Sequence, residues 1–324
     1  MIKNFDEWKI IEVMSKKVYD FGKWVPNDVS FYEISDGENL AICVDTLVDK
    51  TDIPPKMSYV QAGRKAAVSV VSDLASKGVK PLGMVFSISI PRKFSLRSVE
   101  EVALGLKIAS EEHSFKILGG DTNEANNLSI TCCGFGLTKF KLGRNGARPG
   151  DIVYVTGLFG LQSLGLKLLL NGIEPENDIE REAVNLALEP KARLKEGIMA
   201  VSTGAVTASI DSSDGLSISL HQIAEASRVK ILVTDPPIHP KLFEEAEKFG
   251  FKWEELVYGG GEEFELIFTV KRELEGKFRK AFKNEGLNVF RIGEVREGRG
   301  VYLIKGEKEV ELKKIGWRHF KLAK

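Results

Sequence analysis

Cysteine is scarce in this chain: three in 324 residues, at positions 43, 132 and 133. They form no spaced ligand set or disulfide framework, and the adjacent pair is badly placed to bridge itself. Each sits in an apolar run that reads as a strand, so buried thiols are expected. An excess of charge of either sign is also missing. The 46 basic residues balance 46 acidic ones, which leaves no overall field to favour nucleic acid or an anionic membrane. No apolar run nears the ~18 residues that span a bilayer. Met1-Ile2-Lys3-Asn4-Phe5-Asp6-Glu7 lacks the apolar core of a signal peptide, so a cytoplasmic protein is expected. Neither a GxxxxGK[ST] phosphate loop nor a GxGxxG fingerprint occurs, which argues against the nucleotide folds built on them. There is no short-period repeat.

What is present suits two domains, for which the length is sufficient. Leu40-Ala41-Ile42-Cys43-Val44 reads as a strand delivering Asp45 at its end. Residues 59–77 carry Ala62, Ala66, Ala67, Val70, Val71, Leu74 and Ala75, apolar almost all round, which predicts a buried helix. Residues 84–90 alternate and stop at Pro91, a strand. Ser95 then caps an amphipathic helix bearing Leu96, Val99, Ala103, Leu106 and Ala109. Another strand follows over 128–140. Residues 139–150 hold Lys139, Lys141, Arg144, Arg148, Pro149 and three glycines, a linker composition. The division is therefore placed between 1–140 and 141–324. Beyond it come a strand at 151–156, a helix through Leu170, and strands at 231–234, 264–270, 289–295 and 301–304. Strands and helices mix in both halves, which predicts an α+β (mixed α/β) fold.

The chemistry concentrates in aspartates. Asp211-Ser212-Ser213-Asp214-Gly215-Leu216 places two carboxylates and two hydroxyls before a helical pattern, Leu216, Leu220, Ile223 and Ala224. Asp and Ser there also suit a plain helix N-cap. Asp73 falls among Val70, Val71, Leu74 and Ala75, where an unpaired carboxylate is costly, so it needs a cation or an exposed helix end before Gly78. Asp121 follows Gly119-Gly120, which fits either a close backbone approach to a ligand or a simple turn. With Asp28 and Asp45 these make six acids at strand ends or beside glycines, with no His or Cys cluster. An all-carboxylate set suits Mg²⁺, which bridges protein carboxylates to substrate phosphates.

An ordered series of motifs runs along nearly the whole chain. It comprises Asp45-Thr46-Leu47-Val48, Gly63-Arg64-Lys65-Ala66, Ser72-Asp73-Leu74-Ala75 and Gly119-Gly120-Asp121-Thr122. It continues with Gly146-Ala147-Arg148-Pro149-Gly150-Asp151, Thr156-Gly157-Leu158-Phe159-Gly160, the aspartate hexad, Gly260-Gly261-Glu262-Glu263-Phe264-Glu265-Leu266 and the terminal Gly316-Trp317-Arg318-His319-Phe320. This series resembles the thiamine-monophosphate kinases, in the superfamily that includes aminoimidazole ribonucleotide synthetase and selenophosphate synthetase.

The resemblance implies a two-domain aminoimidazole ribonucleotide synthetase-like fold. In it the N-terminal domain builds an intersubunit β-barrel in a homodimer, beside a C-terminal α/β domain. It implies Mg²⁺-assisted transfer of the ATP γ-phosphoryl group onto thiamine monophosphate. Asp28, Asp45, Asp73, Asp121, Asp211 and Asp214 match the metal-binding acids, with Asp45, Asp121 and Asp214 as catalytic groups. Gly120, Arg144 and Ser213 match nucleotide contacts. Asp52, Glu262 and Trp317 match the substrate site, where an aromatic face suits a cationic thiazolium; without the resemblance, Trp317 reads equally as C-terminal packing.

The chain departs from the family pattern at four points. Pro26-Asn27-Asp28 replaces Gly-Asp-Asp, Cys43-Val44-Asp45 replaces Ser-Thr-Asp, Asp52 stands where many members have His, and Glu263 replaces Asp. Other readings are another ATP-dependent enzyme of the superfamily, such as the imidazole ribonucleotide synthetase, or a non-catalytic nucleotide-binding regulator. A selenophosphate synthetase would want a reactive Cys near its start, and a hydrogenase-maturation relative a C-terminal Cys where this chain has Leu322-Ala323-Lys324.

Overall fold

The computed structural model describes residues 7–18 and 26–320; the readings made on residues 1–6 and 322–324 lie outside these. A first helix, α1 (Glu7–Val18), precedes a five-stranded sheet ordered β1-β2-β5-β3-β4. Its strands are β1 (Ser30–Ser35), β2 (Glu38–Val48), β3 (Gly83–Ile90), β4 (Lys116–Glu124) and β5 (Ser129–Thr138). The short α2 (Asp49–Asp52) and the long α3 (Tyr59–Ser76) follow β2, while α4 (Leu96–His113) carries the chain from β3 back to a parallel β4.

Side chains alternate across β2 and β5. Ala41, Cys43, Leu47, Ile130 and Cys132 turn inward and form one core with Ala66, Ala67, Val70, Val71 and Leu74 of α3. Cys133 points the other way and is only partly covered, so the expectation of three buried thiols holds for Cys43 and Cys132 alone. Ser58 starts α3 with a capping box shared with Gln61. α3 and α4 meet through Gly63 and Gly105: a Cβ on either would lie 2.2 Å or less from a backbone carbonyl of the other helix.

The second sheet has seven strands, ordered β12-β11-β8-β10-β6-β9-β7. They are β6 (Ile152–Val155), β7 (Val206–Asp211), β8 (Lys230–Val233), β9 (Leu266–Val270), β10 (Phe290–Arg296), β11 (Gly300–Lys305) and β12 (Lys308–Glu311). Only β8 and β11 run parallel, so the mixed α+β expectation is met in both halves. Helices α5 (Leu161–Leu170), α6 (Asp178–Leu188), α7 (Leu194–Ser202), α8 (Leu216–Ser227), α9 (Leu242–Lys248), α10 (Trp253–Gly259) and α11 (Glu275–Asn284) surround it. Val153, Val155 and Ile267 face a core with Leu164, Leu220 and Ile223. Their neighbours Ile152, Tyr154, Leu266 and Phe268 face the opposite side, against Ala200, Phe278 and Phe282.

α3 joins the two halves. Its Ala75 belongs to the core beneath the second sheet, while its earlier turns fill the core of the first. β7 is not among the strands expected from sequence, although Val206-Thr207-Ala208-Ser209-Ile210 alternates apolar and polar residues as a half-buried strand does. The strand exists because β9 pairs with it and α3 covers it. On the first sheet, the face turned away from α3 stays bare: Val44 is 64% exposed, Val85 41% and Leu137 41%. Among the described residues, no helix is long and apolar enough to cross a membrane.

Candidate active site

β7 ends in Asp211, and the hexad turns at the junction of β7 and α8. The N-cap of α8 is Gly215, at φ 114°, and no side chain caps the helix. The capping role offered by Asp214 or the serines is therefore not taken up, which leaves those polar groups for other partners. Gly215 cannot be replaced cheaply. Its φ is left-handed, and a Cβ there would lie 3.1 Å from the carbonyls of Gly260 and Tyr258.

Three carboxylates converge at the base of this turn. Asp28, Asp73 and Asp211 each present an oxygen within 4.8 Å of the others. Asp28 comes from the segment before β1, Asp73 from α3 and Asp211 from β7. Ser72 donates to Asp211 at 2.7 Å and Ser76 to Asp28 at 3.1 Å. The Nζ of Lys77, fully buried, lies 2.5 Å from Asp28. It also donates to the Ser209 carbonyl at 2.7 Å. Arg144, from the linker, pairs with the other Asp28 oxygen.

The electrostatics of the cluster are uneven. Burial works against charge on Asp28, but Arg144 and Lys77 outweigh it and hold the group down at about 2. Asp73 is pushed well above the carboxylate range by burial and by Asp211 and Asp28. Burial and the Asp28 charge push Asp211 up to about 7. Burial, with Glu7 beyond it, raises Asp214 to about 6. Asp73 and Asp211, crowded beside the already ionised Asp28 and with their own ionisation suppressed, fit a hard divalent cation, since the cation would reverse their shifts.

The remaining expected residues distribute around this cluster. Asp45 lies inside β2 rather than at its end, on the helix-facing side in line with Cys43, and accepts the Thr46 N–H at 2.7 Å. Its charge is felt by Asp73, Asp214 and Glu262. Ser213 is exposed, and its carbonyl accepts the Glu262 N–H at 2.6 Å. Phe264 N–H donates to Ser212 at 2.9 Å, so the Gly260–Glu265 loop is laced to the hexad. Trp317 N–H donates to the Asp214 carbonyl at 2.9 Å. Trp317 is 45% exposed and its ring meets His319 edge-on, so it is only partly packed. Glu262, at φ 65°, pairs with Lys65 of α3. Asp52 turns its carboxylate back onto Val48 N–H at 2.7 Å, and its carbonyl accepts from Lys65 at 2.6 Å.

Asp121 does not join the cluster. Asp121 and Gly120 lie in the interior of β4, so the turn reading is wrong: the glycines are strand residues paired to Val85 and Phe86. Asp121 instead ends a row of cross-strand partners, Thr46–Thr131–Ser87–Asp121, on the bare face of the sheet. Two departures from the family pattern also resolve. Asn27 spends its amide on the Val29 carbonyl at 3.1 Å, and Cys43 sends its thiol toward Val70 in the core at 3.5 Å.

Lys65, Ser72, Ser76 and Lys77 were not picked out from sequence as site residues. A signal existed: 65, 69, 72, 73 and 76 are polar and recur at helical spacing on an otherwise apolar helix.

The architecture is that of the AIR synthase related proteins. The model of their N-terminal domain matches residues 26–138, and that of their C-terminal domain matches residues 148–306. Among curated proteins, thiamine-monophosphate kinase of Nitrosopumilus maritimus is 35% identical over 99% of this chain and 100% of its own length. That of Pyrococcus abyssi is 34% identical over 98% and 97%. Among solved structures, AaThiL complexed with AMPPCP and TMP superposes with a TM-score of 0.86 at 29% identity, covering 99% of both chains. The chain belongs to the thiamine-monophosphate kinase family.

Proposed function

We propose that this protein transfers the γ-phosphoryl group of ATP to thiamine monophosphate, giving thiamine diphosphate and ADP, as the last step of thiamine diphosphate formation. The observation that carries this reading is the convergence of Asp28, Asp73 and Asp211 beside Arg144, with Glu262 and Trp317 tied to the same turn by backbone hydrogen bonds. The relative AaThiL, whose structure holds AMPPCP and TMP together, supports it.

The acceptor is a phosphate oxygen, already anionic at neutral pH, so no side chain has to remove a proton. That oxygen forms the new bond to the γ-phosphorus while the bond to the bridging oxygen breaks and its electron pair leaves with ADP. The protein's contribution is then alignment and charge placement. Ser213, Gly120 and Arg144 hold the nucleotide. Glu262 and the Trp317 face, with Asp52 nearby, hold the thiamine end. Asp28, Asp45, Asp73, Asp211 and Asp214 would hold Mg²⁺, which when bound neutralises charge on the phosphate oxygens. Asp45 and Asp214, with Asp121 from a second copy, would act on the reacting groups.

A homodimer completes the site. Within one subunit Asp121 is three strands from Asp45 and on the other face of the sheet, so we assign its part in the reaction to a site shared with a second copy. The bare apolar surface around Val44, Val85 and Leu137 supports such packing. We place the domain division between residues 140 and 141, between the strands of the two sheets, and the protein in the cytoplasm.

Steady-state assay with ATP, Mg²⁺ and thiamine monophosphate tests the reading: folded protein that makes no thiamine diphosphate refutes it. Asp214→Asn is expected to stay folded and lose most turnover. A near-wild-type rate would remove Asp214 from the site.

A further inference from the structure

We infer that Lys65 is a positioning residue of the acceptor site, a buried clamp that sets Glu262 and the Asp52 segment relative to each other across the two domains. The inference rests on the kinase reading for the identity of the acceptor, and on the geometry below for the clamp.

Lys65 lies in the second turn of α3 and leaves only 4% of its side chain exposed. Its ammonium group has two named partners, and they come from different halves of the chain. One is the Asp52 carbonyl at the end of α2, at 2.6 Å. The other is the Glu262 carboxylate, on the loop between α10 and β9. The Asp52 side chain is committed to Val48 N–H at 2.7 Å, so the turn it closes is fixed and its carbonyl is aimed by that turn. Glu262 in turn occupies a left-handed backbone conformation, which a non-glycine residue holds only when its surroundings enforce it. Here the enforcement is visible. Its N–H donates to Ser213, its carbonyl accepts from the Gln162 amide, and its carboxylate meets Lys65.

A buried ammonium has a cost unless its partners are in place. Lys65 therefore favours the arrangement in which Asp52 and Glu262 are both drawn in, and opposes separation of the two segments. Glu262 keeps 24% of its side chain exposed, enough to offer an oxygen to a cationic ligand while Lys65 fixes its direction. Burial raises the Glu262 carboxyl, and Lys65 works against that rise. The lysine thus also favours the charged form that a thiazolium or protonated pyrimidine would meet. The Arg64 contact next door reinforces the same seam, donating to the Pro190 carbonyl at 2.8 Å.

The test separates positioning from folding and from the kinase reading itself. For Lys65→Met, the KM for thiamine monophosphate should rise about 10-fold or more, with the KM for ATP within about 2-fold of wild type. Lys65→Arg, which keeps a cation, should recover most of that loss. In the Lys65→Met background, Glu262→Gln should add little, because the two act as one unit. Unchanged acceptor KM in a folded Lys65→Met, or full additivity with Glu262→Gln, overturns the proposal. If Lys65→Met does not fold, hydrogen exchange on Glu262→Gln decides. The amides of residues 48–53 should exchange faster than in wild type, and unchanged exchange overturns the clamp. Wild-type protein that makes no thiamine diphosphate would refute the kinase reading, while the exchange result would still stand for or against the clamp.

Discussion

Asp45 and Asp121 lie on opposite faces of one sheet, separated by β5 and β3. Their pairing rows are adjacent, Asp45–Cys132–Phe86–Gly120 beside Thr46–Thr131–Ser87–Asp121, yet consecutive residues of a strand point to opposite sides. Three strand spacings amount to roughly 14 Å, too far for two carboxylates to share one cation.

If they act together, each site draws Asp121 from the partner. Mixing equal amounts of inactive Asp45→Asn and Asp121→Asn subunits should then restore activity, to about a quarter of wild type after random reassortment into dimers. Sites confined to one chain would give no recovery. Val44→Glu, placing charge on the same bare face, should shift sedimentation toward monomer and reduce turnover with it.

Asp73 is expected to show the opposite signs for stability and activity. Its carboxyl is pushed well up by burial and by Asp211 and Asp28, so Asp73→Asn relieves crowding in the metal-free protein. Without Mg²⁺ the variant should melt no lower than wild type. Wild type should gain thermal stability as Mg²⁺ is added; the variant should gain little, and its turnover should fall by about 10-fold or more. An undiminished Mg²⁺ shift in a folded Asp73→Asn would place the cation elsewhere.

Lys77 holds Asp28 from the inside, with both side chains at most 1% exposed. Lys77→Met leaves that carboxylate to Arg144 and the Ser76 hydroxyl and leaves the Ser209 carbonyl without its ammonium donor. A loss of about 3 kcal/mol is expected in chemical denaturation. A loss below about 1 kcal/mol would mean that Arg144 and Ser76 suffice.

Glu263 should give the protein a pH-dependent stability. Burial raises its carboxyl to about 8, although the Gly160 N–H at the start of α5 works the other way. The folded protein therefore keeps a proton that the unfolded chain has already released. That contribution is complete below the ordinary carboxylate range and is lost as pH rises through about 8. Between about pH 5 and about pH 9, wild type should lose on the order of 2–4 kcal/mol relative to Glu263→Gln. Parallel melting curves for the two proteins across that range would sink the prediction.

Much of the frame was legible in sequence because periodicity reports burial. The strong apolar runs became β2, β3, β5, β6 and β9, and the apolar girth of residues 59–77 became α3. The order of the motifs was sufficient to read the family, and of the six aspartates taken as the chemical residues Asp28, Asp73 and Asp211 come together. Other features were silent for physical reasons. The alternation over 206–210 fits a half-buried strand, but the cover that buries β7 more fully comes from α3, about 130 residues earlier, which no local pattern reports. Asp28 as an ion-paired group was equally invisible, since Lys77 and Arg144 lie 49 and 116 positions away.

The aspartate hexad shows where each kind of information ends. By itself the sequence determined that two carboxylates and a glycine stand at the mouth of a helix, because residue type and helical spacing are local properties. Tertiary structure decided that neither Asp caps that helix and that Asp211 meets Asp28 and Asp73. It also separated Asp121 from the other acids, since strand pairing and the two-residue alternation of faces arise only when distant segments assemble.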